Sequence, residues 1–144
     1  MFKTTVKYTD FLGTEREETL RFNLTETEAQ DLVTEDPIFN PALLTTISSD
    51  RDAVTMYKVI RKLILHAYGE MSEDGRVFRK SKEIMSDFAN SAAYSEFLKM
   101  LLGGDDDTLI TRFMMEVFPA AIAEEMKKQG VLDKKVIPMD NTTV

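Results

Sequence analysis

Residues 52–69, DAVTMYKVIRKLILHAYG, carry the strongest helix signal in the chain. At about 100° per residue, Met56, Val59, Ile60, Leu63, Ile64 and Ala67 gather on one side, with Tyr57 and Tyr68 at the flank. Thr55, Lys58, Arg61, Lys62 and His66 gather on the other, and Leu65 is the one apolar residue among them. The apolar arc is roughly half the cylinder, wider than the ~100° stripe of an ordinary surface helix. Such a helix must be covered from more than one direction, so it reads as the core element. Gly69 follows directly and is expected to end it as a left-handed C′ residue. The next segment, EMSEDGR, is a polar, acidic loop before Val77 and Phe78 return to apolar character.

The chain has 144 residues, 43% apolar and 30% charged, enough for one domain with a real core. No apolar run approaches the ~20 residues of a membrane helix, and the N-terminus lacks a signal-peptide core. There is no cysteine, which excludes disulfides and thiolate metal sites. The net charge of −7 disfavours sequence-independent binding to nucleic acid, whose affinity rests on Lys and Arg meeting phosphates. Nine methionines and no tryptophan suit either an adaptable core or a surface for varied apolar partners.

Toward the N-terminus, Phe2, Thr4, Val6 and Tyr8 alternate with Lys3, Thr5 and Lys7, the period of a half-buried strand. Asp10-Phe11-Leu12-Gly13 supplies a turn with Gly13 as the positive-φ residue. Alternation resumes from Arg16 to Leu24, and together these predict an antiparallel hairpin over about 2–24. Two strands alone are marginal in water, so their apolar face must lie on helices or join another edge. Thr25 and Glu28 form a capping box for a helix to about Glu35, stopped by Asp36-Pro37. Asn40-Pro41 predicts a second short helix over Pro41–Ser48. Ser49, Asp50 or Asp52 then caps the core helix.

Beyond the loop, Ser81 caps a helix carrying Ile84, Met85 and Phe88. Ser91 caps another with Tyr94, Phe97, Leu98, Leu101 and Leu102, ended by Gly103-Gly104. Asp105-Asp106-Asp107 is expected to cap a helix with Leu109, Ile110, Phe113, Met114 and Val117, since carboxylates suit a helix N-terminus. Pro119 breaks that helix, which resumes from Ala120 to about Gln129. The fold expected is α+β, mainly α: an N-terminal antiparallel hairpin packed on a small bundle of about five or six short helices. Residues 1–119 form one domain, and 120–144 a C-terminal helix and mobile tail.

The sequence offers little for catalysis. Its one histidine, His66, sits at the edge of the polar face with no nucleophile pattern around it. No HExxH, glycine-rich phosphate loop or dinucleotide fingerprint occurs. Glu70, Ser72, Asp74 and Gly75 match half a calcium loop, but Ser81 stands where a bidentate Glu is needed. No cofactor, metal or catalytic residue is expected. Arg51, Lys58, Arg61 and Lys62 read as a solvated basic face, with a nucleic-acid contact as the sharper alternative. The remaining notable set is Tyr94, Phe97, Met100, Leu101, Phe113, Met114, Met115, Val117 and Phe118. It is either plain core or a groove for an apolar helix of a partner. The partner-binding candidates are Tyr94, Phe97, Met100, Leu101, Phe113, Met114 and Phe118.

Ala67-Tyr68-Gly69-Glu70-Met71-Ser72-Glu73-Asp74-Gly75-Arg76-Val77-Phe78 resembles a YGxKSEDGRxF stretch in small proteins of bacteriophage tail modules. Three more segments match in order. Lys7–Phe11 followed by Phe22–Thr25 resembles the YxDFxG…FxLTxxE opening of that family. Ser91–Phe97 resembles TxAYSELFxEL, and Phe113–Pro119 a closing F(I/V)xxxxP. The family is that of the tail assembly chaperones of long-tailed phages. The resemblance implies a non-enzymatic protein of the host cytoplasm, absent from the mature virion. It implies binding to the tape measure protein, with the major tail tube protein as a further candidate, and weak self-association in multiple copies. The net charge and the lack of a membrane-length apolar run lead to an expectation of no nucleic-acid and no membrane partner. A structural tail completion or connector protein of the virion is the alternative reading.

Overall fold

A computed structural model of the chain describes residues 1–40, 53–106 and 108–128. The architecture is α+β and mainly α, an N-terminal hairpin followed by short helices. Strand β1 (Phe2–Thr9) pairs antiparallel with β2 (Glu15–Phe22), Phe2 opposite Phe22 and Thr9 opposite Glu15. In β1 the alternation holds: Phe2 and Val6 are buried, Lys3, Thr5, Lys7 and Thr9 exposed. In β2 only the final residues reach the core, Leu20 and Phe22, while residues 15–19 face solvent.

The hairpin ends at Phe22, two residues before the alternation does. The reason lies in two helix ends. The last carbonyls of a helix have no partner inside it. Here the Asn23 amide donates to the Ala67 carbonyl (2.8 Å) and the Leu24 amide to the Val117 carbonyl (2.9 Å). The chain leaves the ladder to close two helices that lie far apart in sequence.

Helix α1 (Glu26–Glu35) carries the expected capping box. The Thr25 hydroxyl accepts from the Glu28 amide (3.2 Å), and the Glu28 carboxylate accepts from the Thr25 amide (2.9 Å). Asp36 ends it, and a 3-10 turn at Pro37–Phe39 then buries Phe39. The helix expected over Pro41–Ser48, and the caps Ser49, Asp50 and Asp52, lie outside the described residues.

Helix α2 (Ala53–Ala67) is the core helix. Val59, Ile60, Leu63, Ile64 and Ala67 are buried, and Met56 is partly covered. Its polar face is engaged within the molecule. Lys62 pairs with Asp36 (2.9 Å), and Arg61 donates to the Tyr94 hydroxyl (3.0 Å). Gly69 is not the left-handed residue expected of it; among the described glycines only Gly13 (φ +85°) and Gly75 (φ +75°) have positive φ. Its requirement is space. A Cβ there would lie 2.6 Å from the Phe78 ring and 2.8 Å from the Arg79 carbonyl. That crowding arises because the expected loop is a second small hairpin, β3 (Glu70–Met71) with β4 (Phe78–Arg79), folded back on the helix end.

Helices α3 (Lys82–Ala89) and α4 (Ala92–Gly103) start at Ser81 and Ser91. Their hydroxyls accept from the Ile84 amide (3.0 Å) and the Tyr94 amide (3.2 Å). Helix α5 (Leu109–Val117) differs from expectation at its start. Thr108 is its N-cap and makes no side-chain cap bond; Asp106 accepts from the Thr108 amide (2.9 Å) and hydroxyl, and pairs with Arg112. Asp105 is exposed, and Asp107 lies outside the described residues. Pro119 breaks the helix as expected, and α6 (Ala120–Lys128) follows. The predicted mobile tail also lies outside the described residues.

Candidate partner-binding surface

The aromatic and methionine set of the last third is brought together, but as interior. Helix α4 turns Tyr94, Phe97 and Leu101 inward at helical spacing, and α5 does the same with Phe113, Met114 and Val117. Phe118 is also buried, and Met100 is partly covered. The space between the two helices is filled by the base of the hairpin. The Phe22 ring stacks on Phe97 with centroids 4.7 Å apart, and Phe2 meets Phe113 edge-on at 5.2 Å. Six of the seven candidate residues, Tyr94, Phe97, Leu101, Phe113, Met114 and Phe118, thus face the molecule's own core. The outward apolar residues of these helices are Leu102 (43% exposed) and Met115 (40%).

Among the described residues the most exposed apolar pair lies elsewhere, at the hairpin tip: Phe11 is 82% and Leu12 90% exposed. The tip is closed by the Asp10 side chain. Asp10 Oδ1 accepts from the Leu12 and Thr14 amides, both at 2.9 Å, and Asp10 Oδ2 accepts from Arg16 Nε at 2.8 Å. The Arg16 guanidinium, then the Thr14 and Leu12 amides, hold the Asp10 carboxyl below its usual range. Tyr8 donates to Glu18 just below, and that bond raises the phenol to about 12. The signal was in the sequence: a turn needs Asp and Gly, but nothing local needs Phe and Leu between them.

At the opposite end lies a cleft of about 330 Å³ between α1, α2 and the start of α3. Leu24, Leu32, Leu65, Tyr68 and Met85 supply its apolar lining; Glu28, Asp31, Glu35, His66 and Lys80 supply polar edges. Lys80 pairs with Glu28 at 2.9 Å. Burial pushes the Lys80 ammonium down, against the pull of Glu28. Burial alone would raise Glu28, but the Thr25 amide and Lys80 hold it below its usual range.

His66 Nδ1 donates to the Lys62 carbonyl one turn back (2.9 Å). In the former candidate calcium loop, the Asp74 carboxylate accepts from the Ser72 hydroxyl (2.8 Å) and the Arg76 amide (3.1 Å) of its own turn. Among the described residues no group of three or more acidic or histidine side chains could hold a metal ion. Among them, too, no helix is long and apolar enough to cross a membrane.

No curated protein and no solved structure matches the chain. A family model does, over residues 1–143, and its description is phage tail assembly chaperone. With nearly the whole sequence matched, the chain belongs to the phage tail assembly chaperone family.

Proposed function

We propose that this chaperone binds the tape measure protein and keeps it soluble during tail morphogenesis, without catalysis. It acts in the host cytoplasm and is absent from the finished virion. The observation that carries the reading is the family match across residues 1–143. Leu102 and Met115, exposed on neighbouring helices, support it. A tape measure helix would meet the Tyr94–Phe118 region through these outward residues, while Phe97 and Phe113 hold its shape from inside. The acidic balance keeps the loaded complex soluble. The major tail tube protein is a further proposed partner, and nucleic acid is not one.

The test is co-expression with the tape measure protein of the same phage. Tape measure should become soluble and co-purify with this chain, and Leu102→Glu with Met115→Glu should weaken that while circular dichroism stays unchanged. Insoluble tape measure beside a freely purified chain would overturn the reading. Finding the chain in purified particles would favour a structural tail completion or connector role instead.

A further inference from the structure

The cleft between α1, α2 and α3 is apolar on its floor and acidic along one wall. Leu65, Tyr68 and Met85 are partly buried there, beside buried Leu24 and Leu32. Glu28, Asp31 and Glu35 recur at three- and four-residue steps, so α1 turns all three to the same side. Lys80 pairs with Glu28 and also donates to the Asn23 carbonyl. Among the described residues, Asp31 and Glu35 make no ion pair and no side-chain hydrogen bond. Three carboxylates against the Lys80 ammonium leave the lining at −2 with His66 neutral. The groove beyond Leu65 and Met85 is basic, but two of its cations are engaged, Lys62 with Asp36 and Arg61 with the Tyr94 hydroxyl; Lys58 is the third.

The chain carries matching chemistry past α6. Residues 131–139 read VLDKKVIPM: Lys134 and Lys135 precede Val136 and Ile137, and Asp133 leaves the stretch at +1. These residues lie outside the described ones, but the described ones bound their reach. The Leu24 amide meets the Val117 carbonyl at 2.9 Å, so α6 starts three residues from the cleft wall. Its nine residues advance only ~13 Å. Even an α6 pointing straight away leaves Lys128 within about 30 Å of Leu24, and residues 129–137 span up to ~30 Å.

We propose that residues 134–137 of the same chain cover this cleft, with Lys134 and Lys135 toward Asp31 and Glu35, and Val136 and Ile137 over Leu65, Tyr68 and Met85. A site that takes one or two apolar side chains holds a separate partner too weakly to fill at micromolar concentration. Tethering changes that. A short linker sets an effective concentration of about 1 mM, which fills a site of ~1 mM affinity about half of the time. The free chain then carries its own occupant, and a partner reaching this cleft has to displace it.

The chain has no cysteine, so an introduced pair reports proximity without background. Full-length chain with Leu65→Cys and Ile137→Cys is compared with Leu12→Cys and Ile137→Cys, which puts the first thiol on the hairpin tip. A disulfide needs Cα atoms about 4.4–6.8 Å apart. Under mild oxidation at about 1 μM, where chains rarely meet, the cleft pair should close within one chain about 10-fold faster than the tip pair. Adding Lys134→Glu and Lys135→Glu to the cleft pair should slow closure about 5-fold. Leu65 is partly buried, so circular dichroism checks each fold, and Met85→Cys serves as the second cleft position. Equal rates for the cleft and tip pairs overturn the proposal. So do disulfide-linked dimers as the main product, which would place the segment on another copy, and a closure rate that the two glutamates leave unchanged. No other phage protein enters the assay, so its failure is separate from failure of the chaperone reading.

Discussion

One hairpin has two ends with opposite fates. At its base, the Phe22 ring lies within 6.3 Å of five others: Phe2, Tyr68, Phe88, Phe97 and Phe113. At its tip, Phe11 and Leu12 are largely uncovered, though the Leu12 and Thr14 amides beneath them are bonded to Asp10. The residue types are alike, and the coverage differs. An apolar residue's role is set by what reaches it from elsewhere in the chain, not by its own chemistry.

The comparison breaks most sharply at the base. Phe22→Ala should cost about 3–5 kcal/mol in urea unfolding, because a ring is removed from a packed aromatic cluster. A loss under ~1 kcal/mol would mean the base is no better packed than the tip. Next comes Gly69→Ala, where the new Cβ would meet the Arg79 carbonyl and the Phe78 ring. The ring can shift and the carbonyl cannot, so a cost of about 1–3 kcal/mol is expected in the same assay. Thr25→Ala removes the hydroxyl that caps α1 just past the base, and should cost about 1 kcal/mol.

Acid treats both ends alike. Asp10 at the tip and Glu28 near the base are both held below their usual range, as are Asp36 and Asp74. Their folded values lie below the unfolded ones. The stability they add is therefore fully present above the unfolded carboxylate range, near ~4, and is lost as pH falls through the folded values. Melting temperature should hold down to about pH 4.5 and then decline. The smallest effect belongs to the tip itself. Leu12→Ser should leave stability within ~0.5 kcal/mol of the parent, since it removes no buried contact.

What could be read from the sequence was local. The hairpin period of β1, the capping box at Thr25 and Glu28, the serine caps at Ser81 and Ser91, and the break at Pro119 all depend on residues a few positions apart. The core helix was legible because its wide apolar arc demands burial whatever covers it. What escaped was set by distant segments. Gly69 reads as a helix stop until β4 folds against it. Phe97 and Phe113 have the spacing of a groove or of a core, and only the folded chain brings Phe2 and Phe22 against them. The tip pair failed to stand out because alternation analysis looks along strands, and Phe11 and Leu12 lie between them.

The amides of Asn23 and Leu24 also bear on the order of folding. They terminate helices whose last residues are Ala67 and Val117. During synthesis the hairpin leaves the ribosome before α2 and α5, so its seat does not exist until α5 has emerged. Contacts of such long sequence separation slow folding and keep early apolar surface uncovered. A nascent chain arrested before Val117 should therefore expose Phe2 and Phe22 to solvent, and the last turn of α5 acts as the latch that ends this vulnerable interval.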